Sequence, residues 1–254
     1  MTIEDFSNEF DVLLNSYAHT ALFGQDASAI DLTTDEYEKS WFLTKAQEEV
    51  ALNLYNGKGI YGEAFEETEE LRRYLSILIR EAKLEPIEVP TEDTFDGTFD
   101  ESFHIGETLY YGMSTESEFF KLPDNIWFIT YESVNVSNGK CKDTILEVFP
   151  TRQDEYHRIK QNPFRGANGR RALRFDLSEN IIEIVCKYDI TSYYVRYLRK
   201  LKPIILINLA DGLTINGENR TSECELPDIL HQRILERAVA LAYQSKAHTT
   251  QQSK

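Results

Sequence analysis

Cysteine is scarce in this chain: three residues, Cys141, Cys186 and Cys224, among 254. They show no C-x-x-C spacing, and an odd number cannot pair fully within one chain, which excludes a complete disulfide framework and reads as free thiols in a reducing compartment. Missing too is any apolar run near the roughly 20 residues that span a bilayer, and the first residues do not resemble a signal peptide. A soluble protein, not secreted by the ordinary route, is expected. The histidines His19, His104, His157, His231 and His248 fall in no metal-ligand spacing such as H-E-x-x-H. There is no G-x-S-x-G elbow, no Walker sequence and no dinucleotide fingerprint. Gly57, Gly59 and Gly62 follow a helical pattern instead of a strand and lack G-K-[ST], so they read as a helix stop and turn. Asp93, Asp96, Asp100 and Glu101 lack the order of an EF-hand loop. His157, beside Asp154 and Glu155, is the nearest approach to an acid/base group and reads as a surface helix residue. No catalytic, metal or cofactor-binding residue is assigned, and no cofactor is expected.

What is abundant is acid, and it is unevenly placed. The net charge is −16. Residues 1–101 hold 24 acids and 7 bases, a net of −17, while the remainder carries 19 acids and 20 bases, a net of +1. Within that remainder Arg158, Lys160, Arg165, Arg170, Arg171 and Arg174 occur with no acid between Tyr156 and Phe175, and Arg196, Arg199, Lys200 and Lys202 form a second cluster. A nucleic-acid reader carries an excess of base over its whole domain, and this chain does not. The two parts instead suit a contact between unlike surfaces of neighbouring copies, the head-to-tail interface that closes into a ring. Arg165, Arg170 and Arg171, in the loop NPFRGANGRR, are the candidates for that charged contact.

Periodicity sets the fold class. Thr2 is placed to cap a first helix carrying Phe6, Phe10, Leu13, Leu14 and Tyr17 on one face, and Ala18 to Leu32 reads as a loop. Thr33 with Glu36 reads as the capping box of a second helix, stopped by Asn56 and Gly57. Its Tyr37, Trp41, Phe42, Leu43, Ala46, Val50 and Leu54 cover more than one face, as expected of a helix buried centrally or against another subunit. A third helix is predicted from Glu66 to Ala82, with Pro86 and Pro90 ending it. Residues 90–117 are acidic with interleaved aromatics and read as a surface loop or arm. Thereafter 125–136, 144–149, 172–177, 181–188, 192–198 and 203–209 are strand-like, with Asn138-Gly139, Asp211-Gly212 and Asn216-Gly217 as turns and a short helix carrying Tyr156 and Ile159. From Glu225 to Lys246 an amphipathic helix follows, with Leu230, Ile234, Ala238, Leu241 and Ala242 on one small-residue face. That face is expected to pack against the first helices. The resulting fold class is α+β: a helical part over 1–89, an inserted antiparallel β-rich domain over 90–222, a helix over 223–246 completing the bundle, and a polar tail over 247–254.

Four segments add a resemblance: Asp35 to Gly57 (DEYEKSWFLTKAQEEVALNLYNG), Val148 to Arg165 (VFPTRQDEYHRIKQNPFR), Tyr193 to Leu209 (YYVRYLRKLKPIILINL) and Cys224 to Ser245 (CELPDILHQRILERAVALAYQS). In order along the chain, with Thr91 to Ser117 unmatched, they resemble virion structural proteins of crAss-like and related phages of the Bacteroidetes, in particular neck or head-to-tail connector rings. The resemblance implies an adaptor-type helical bundle with a β insertion. It also implies a ring of about twelve copies, with portal protein and other neck or tail rings as partners and genome DNA passing through without sequence-specific binding. By that analogy Leu230, Ile234, Ala238, Leu241, Ala242 and Trp41, with the tail Ala247 to Lys254, are the portal or subunit contacts. A virion location, after assembly in the bacterial cytoplasm, goes with it. Two other classes stay open. One is a monomeric binding module or other tail structural protein, with Tyr193, Tyr194 and Tyr197 as a platform; the other is a virion-associated hydrolase.

Overall fold

A computed structural model describes residues 1–21, 34–57, 68–87, 102–105, 108–111, 117–137, 144–177, 180–210 and 212–252. Cα packing divides the chain into two compact units, Met1–Ile77 with Leu201–Lys254, and Leu78–Lys200. The fold class is α+β, with five helices and nine strands among the described residues.

The first unit holds α1 (Ile3–Ala21), α2 (Glu36–Tyr55), α3 (Glu69–Leu75) and α5 (Asp228–Gln252). Thr2 caps α1 as expected, accepting from the Asp5 amide at 3.2 Å while Asp5 Oδ2 accepts from the Thr2 amide at 2.8 Å, a reciprocal box. The cap of α2 is Asp35, whose Oδ1 accepts from the Glu38 amide at 2.7 Å. Thr33, expected there, lies outside the described residues, as do 22–32, 58–67, 138–143 and Asp211. α5 packs on α1 and α2, burying Leu230, Ile234, Leu235, Ala238, Val239 and Ala242. It is tied at its flank by Arg237, whose Nε and Nη2 each donate to Glu49 at 2.8 Å. α5 extends through Gln252, into the segment read as a tail.

Two expectations in this unit give way to tertiary context. The helix expected to reach Ala82 stops at Leu75; a 3₁₀ turn, Ser76–Leu78, leads into strand β1 (Ile79–Leu84). Leu78, Ile79 and Ala82 satisfy a helical period, but Ala82 and Leu84 satisfy a period of two equally well, and an available strand partner decides. Residues 203–209 form no strand; Ile205 makes a single bridge to Ser222. The extended backbone there runs along α2. Leu206 N donates to Ser40 Oγ at 3.0 Å, Ile204 N to Thr44 Oγ1 at 3.0 Å, Thr44 Oγ1 to Ile204 O at 3.2 Å, and Gln47 Nε2 to Lys202 O at 2.8 Å. Four helical residues rise about 6 Å and two extended residues about 6.6 Å, so the i, i+4 and i+7 positions of α2 meet every second residue of the segment. A buried backbone thereby finds partners without a sheet.

The second unit holds β1, β4 (Ser117–Lys121), β5 (Ile126–Ser137), β6 (Thr144–Pro150), β7 (Arg171–Asp176), β8 (Ile181–Val185) and β9 (Asp189–Arg199) in one sheet ordered β1-β9-β5-β6-β7-β8-β4. A separate antiparallel pair, β2 (Ser102–Ile105) with β3 (Thr108–Tyr111), falls within the acidic stretch expected to be loop. The main sheet is not wholly antiparallel: β6 and β7 run parallel, from Glu147↔Arg171 to Pro150↔Arg174. A parallel pair needs a crossover, and the connection from Thr151 to Arg170, carrying α4 (Tyr156–Lys160), supplies it. The sheet curls until its edges meet. Ile87, three residues beyond the end of β1, donates its amide to Phe119 O on β4 at 2.8 Å, and a three-residue reach is about 10 Å. Phe120, Val134, Leu146, Val148, Ala172, Ile182, Ile184, Tyr193 and Val195 fill the enclosed core. On the outer face of β7 and β8, Leu173, Phe175 and Val185 are covered by Tyr156, with Phe149, Ile159 and Ala167 alongside. That covering layer is the crossover itself.

Candidate functional site

The crossover ends in a loop, Asn162 to Arg170, that is heavily cross-braced for a surface segment. Asn162 Oδ1 accepts from the amides of Phe164 (2.9 Å) and Arg165 (3.2 Å), and its carbonyl accepts from Gly166 N at 2.8 Å. Gly166 is buried so tightly that a Cβ would stand 3.0 Å from Asn162 O and 3.1 Å from Ile159 O. Asn168 Oδ1 accepts from Arg170 N at 2.9 Å, and its Nδ2 donates to Gly166 O at 3.3 Å. Such Asx-type bonds hold a loop in one shape without a regular element. At its tip Phe164 is 86% exposed, the most exposed large apolar residue among those described.

The three arginines predicted for this loop divide by role. Arg171 is used internally: its guanidinium lies 3.8 Å from the Phe149 ring centroid, and its Nη1 donates to Phe164 O at 3.3 Å. Arg165 and Arg170 are exposed and make no ion pair with a described residue. The loop thus presents one exposed aromatic ring and two cations that pair with no acid among the described residues. Its signal in the sequence was the acid-free run around N-P-F-R; the braces that make it rigid have no such signature.

The apolar candidates on α5 lie elsewhere. Leu230, Ile234, Ala238 and Ala242 are at most 1% exposed, turned into their own unit's core, and Leu241 is half-buried. Trp41, on α2, is 43% exposed with its ring edge against Phe42. The segment 247–252 continues α5 as helix. The tyrosine platform of the binding-module reading does not form, because Tyr193 and Tyr197 point into the enclosed core at 0% and 6% exposure.

Titratable groups are held in structural pairs. Glu132 and Arg174 face each other inside the curled sheet at 2.8 Å, and Tyr193 Oη donates to the second Glu132 oxygen at 2.9 Å. Burial pushes the Glu132 carboxyl above its ordinary value, with Arg174 and Tyr193 pulling it back. Burial opposes the charge on Lys39, yet hydrogen bonds from its Nζ to Asp11 (2.7 Å) and Glu36 (2.9 Å) leave it raised overall. His231 is buried and its Nε2 donates to Leu226 O at 2.8 Å. His157 is exposed on α4, while Asp154 and Glu155 are engaged by Arg152 and Arg158. Among the described residues no group of three or more His, Cys, Asp or Glu is placed to hold a metal ion, and no helix is long and apolar enough to cross a membrane.

The described residues thus hold paired charges at the core of the sheet unit and a braced apolar tip at its surface. The chain belongs to the phage tail ring protein 3/4 family, which it matches over residues 1–254. It is 42% identical over 254 residues to "Ring protein 3" of Bacteroides phage crAss001, covering 98% of each chain. It is 31% identical over 251 residues to "Ring protein 4/5" of the same phage, covering 95% of this chain and 92% of that one. It is therefore a crAss-like phage virion protein of the ring type, as the four segments of the sequence imply.

Proposed function

We propose that the chain is the repeating subunit of a closed ring in the phage neck, docked to the portal on one side and to further ring or tail proteins on the other, with the genome passing through its channel. The observation that carries this is the end-to-end match to the ring family, with a relative named "Ring protein 3" at 42% identity across the whole chain. About twelve copies complete the ring in this reading. The helical unit of α1, α2 and α5 serves as the adaptor-type bundle, and the far end of α5, from Ala247 to Gln252, serves as portal contact together with Trp41 and Leu241. The buried Leu230, Ile234, Ala238 and Ala242 support that contact by holding α5 in place. Acidic side chains of the first 101 residues repel phosphate, so that DNA slides without adhering. No catalytic step is required of this subunit, and its assembly takes place in the host cytoplasm.

Light scattering on the purified chain, with and without portal protein, tests the reading. A ring-sized mass, or a monomer that becomes a stoichiometric ring on adding portal, is expected; a monomer indifferent to portal overturns it.

A further inference from the structure

We propose that the Phe164 loop is the subunit-to-subunit anchor: it inserts against the outer face of α1 in a second copy of this chain, with Phe164 over Val12 and Arg165 and Arg170 against Asp5 and Glu9. This inference rests on the ring reading above and names the surfaces that would close the ring.

The loop side is a presented hydrophobic group on a scaffold that has already lost its freedom. Because Asn162, Asn168 and Arg171 fix the backbone, docking costs little further ordering entropy. An aromatic ring 86% exposed on a loop that also carries two exposed arginines has the composition found at the energetic centres of interfaces. Two cations that meet no acid among the described residues select an acidic receiver and disfavour a basic one.

The receiver is chosen among the described residues of the acidic part, where the exposed large apolar side chains are Val12 (68%), Ile77 (46%), Trp41 (43%) and Leu52 (36%). Ile77 follows the basic pair Arg72 and Arg73. The acids near Trp41 and Leu52 are already engaged, Glu38 by Lys246, Glu48 by Lys45 and Asn216, and Glu49 by Arg237. On α1, Asp5, Asn8, Glu9, Val12 and Ser16 share one exposed face at helical spacing. Glu9 makes no ion pair with a described residue, and Asp5 accepts from Thr2 but meets no cationic side chain among those described. The face is thus apolar at its centre and acidic on one side, the complement of the loop. The two patches are unlike, so the contact is heterologous, and repetition of such a contact is what generates a ring.

The test uses the full chain under the conditions in which the wild type forms its ring. Phe164→Ser should raise the concentration needed for half-assembly by roughly 30-fold, the range of an interface hot spot. Below the assembly concentration its melting temperature should match that of the unassembled wild type, because Phe164 contributes nothing to its own unit's core. Arg165→Glu with Arg170→Glu should abolish assembly at low salt, and Asp5→Lys with Glu9→Lys should do the same alone; the mixture of these two double variants should assemble into alternating rings. Val12→Cys and Phe164→Cys, each added to the chain alone, mixed and oxidised, should give a disulfide-linked pair joining peptides 12 and 164 that is absent from either variant by itself. If the wild type forms rings while the Phe164 and arginine variants assemble like it, this inference fails and the ring reading stands. A wild type that forms no ring, alone or with portal, overturns both. Assembly lost in each charge variant but not restored in their mixture refutes the pairing with α1.

Discussion

Removal of Arg174 should unfold the sheet unit at lower denaturant, and the deficit should depend on pH. The side chains of Arg174 and Glu132 are 10% and 8% exposed, with Nη1 and Oε1 2.8 Å apart. At an effective dielectric near 20 their attraction is about 6 kcal/mol, most of it offset by the cost of taking both charges out of water. Replacing both with apolar residues therefore costs chiefly what it takes to leave the buried Tyr193 hydroxyl without its acceptor, about 1–3 kcal/mol. Arg174→Met alone is different: it leaves a buried carboxylate with the Tyr193 hydroxyl as its remaining protein partner there, at a cost of about 3–5 kcal/mol. The stranded carboxyl has an escape in protonation. Burial already raises Glu132 in the native protein, and loss of the guanidinium raises it further. A carboxyl raised in the folded state binds its proton more tightly folded than unfolded, so the associated stability is present at low pH and lost as pH rises through the folded pKa. The deficit of Arg174→Met should accordingly be largest near pH 8 and shrink toward pH 5. Urea unfolding in a Trp41→Phe background, leaving Trp127 as the tryptophan reporter of the sheet unit, measures it. A deficit under about 1 kcal/mol, or one that is flat with pH, would refute the account of Glu132 as a buried charge held ionised by its partner.

Three further outcomes follow from single contacts. Thr44→Val removes both bonds between α2 and Ile204 and strands a buried amide, at about 1–3 kcal/mol; amide exchange at Ile204 and Leu206 should accelerate ahead of the rest of the helical unit. Lys39, raised above its ordinary value of 10.5, lends stability that is fully present below that pH and is lost as pH rises through the higher folded value; Lys39→Met should flatten this alkaline loss in a melting series from pH 9 to 12. Burial pushes the Cys224 thiol up to about 11, so iodoacetamide at pH 8 should label it far more slowly in the native chain than in denaturant, read by peptide mass. Equal rates would show that the thiol is not shielded.

The parts of the fold legible in the sequence are those where local pattern and tertiary partner agree. α1 carries the cap expected of it, α1, α2 and α5 carry stripes that their packing then uses, and the strands β5, β6 and β7–β9 appear where Ile, Val and Tyr cluster. The Asn216-Gly217 turn also forms as its residues demand, with φ of 51° and 86° and Ile215 bonded to Glu218 in both directions. Illegible were the places where one segment satisfied two periods, as at Leu78 to Ala82, or where an extended segment found a helix for a partner. Ser40, Thr44 and Gln47 hold the clue to the second case, three polar residues at i, i+4 and i+7 that lie buried beside the apolar residues of α2. They are the means by which the backbone from Lys202 to Leu206 is buried.

The same distinction governs the contact surface. Apolar stripes at helical spacing announce packing but not with whom, and those of α5 are satisfied within their own unit: Ile234 and Ala238 have no area left to offer a neighbour. A contact between copies must come from groups that folding leaves unsatisfied, and these are recognised by failed pairing instead of period. Phe164 fails to bury, and Arg165 and Arg170 find no acid among the described residues, although the chain carries 43 acids against 27 bases. In a protein so acidic, an arginine without a carboxylate needs surroundings from which acid has been excluded. The acid-free run from Tyr156 to Phe175 supplies them, while the excess acid sits in the first 101 residues, with Glu4, Asp5 and Glu9 exposed on α1. Segregated charge of this kind does not stabilise a single copy, since like charges crowd on each part. A contact between unlike parts of neighbouring copies would turn that segregation to advantage, which is why the distribution of charge, more than its total, accords with the proposed assembly.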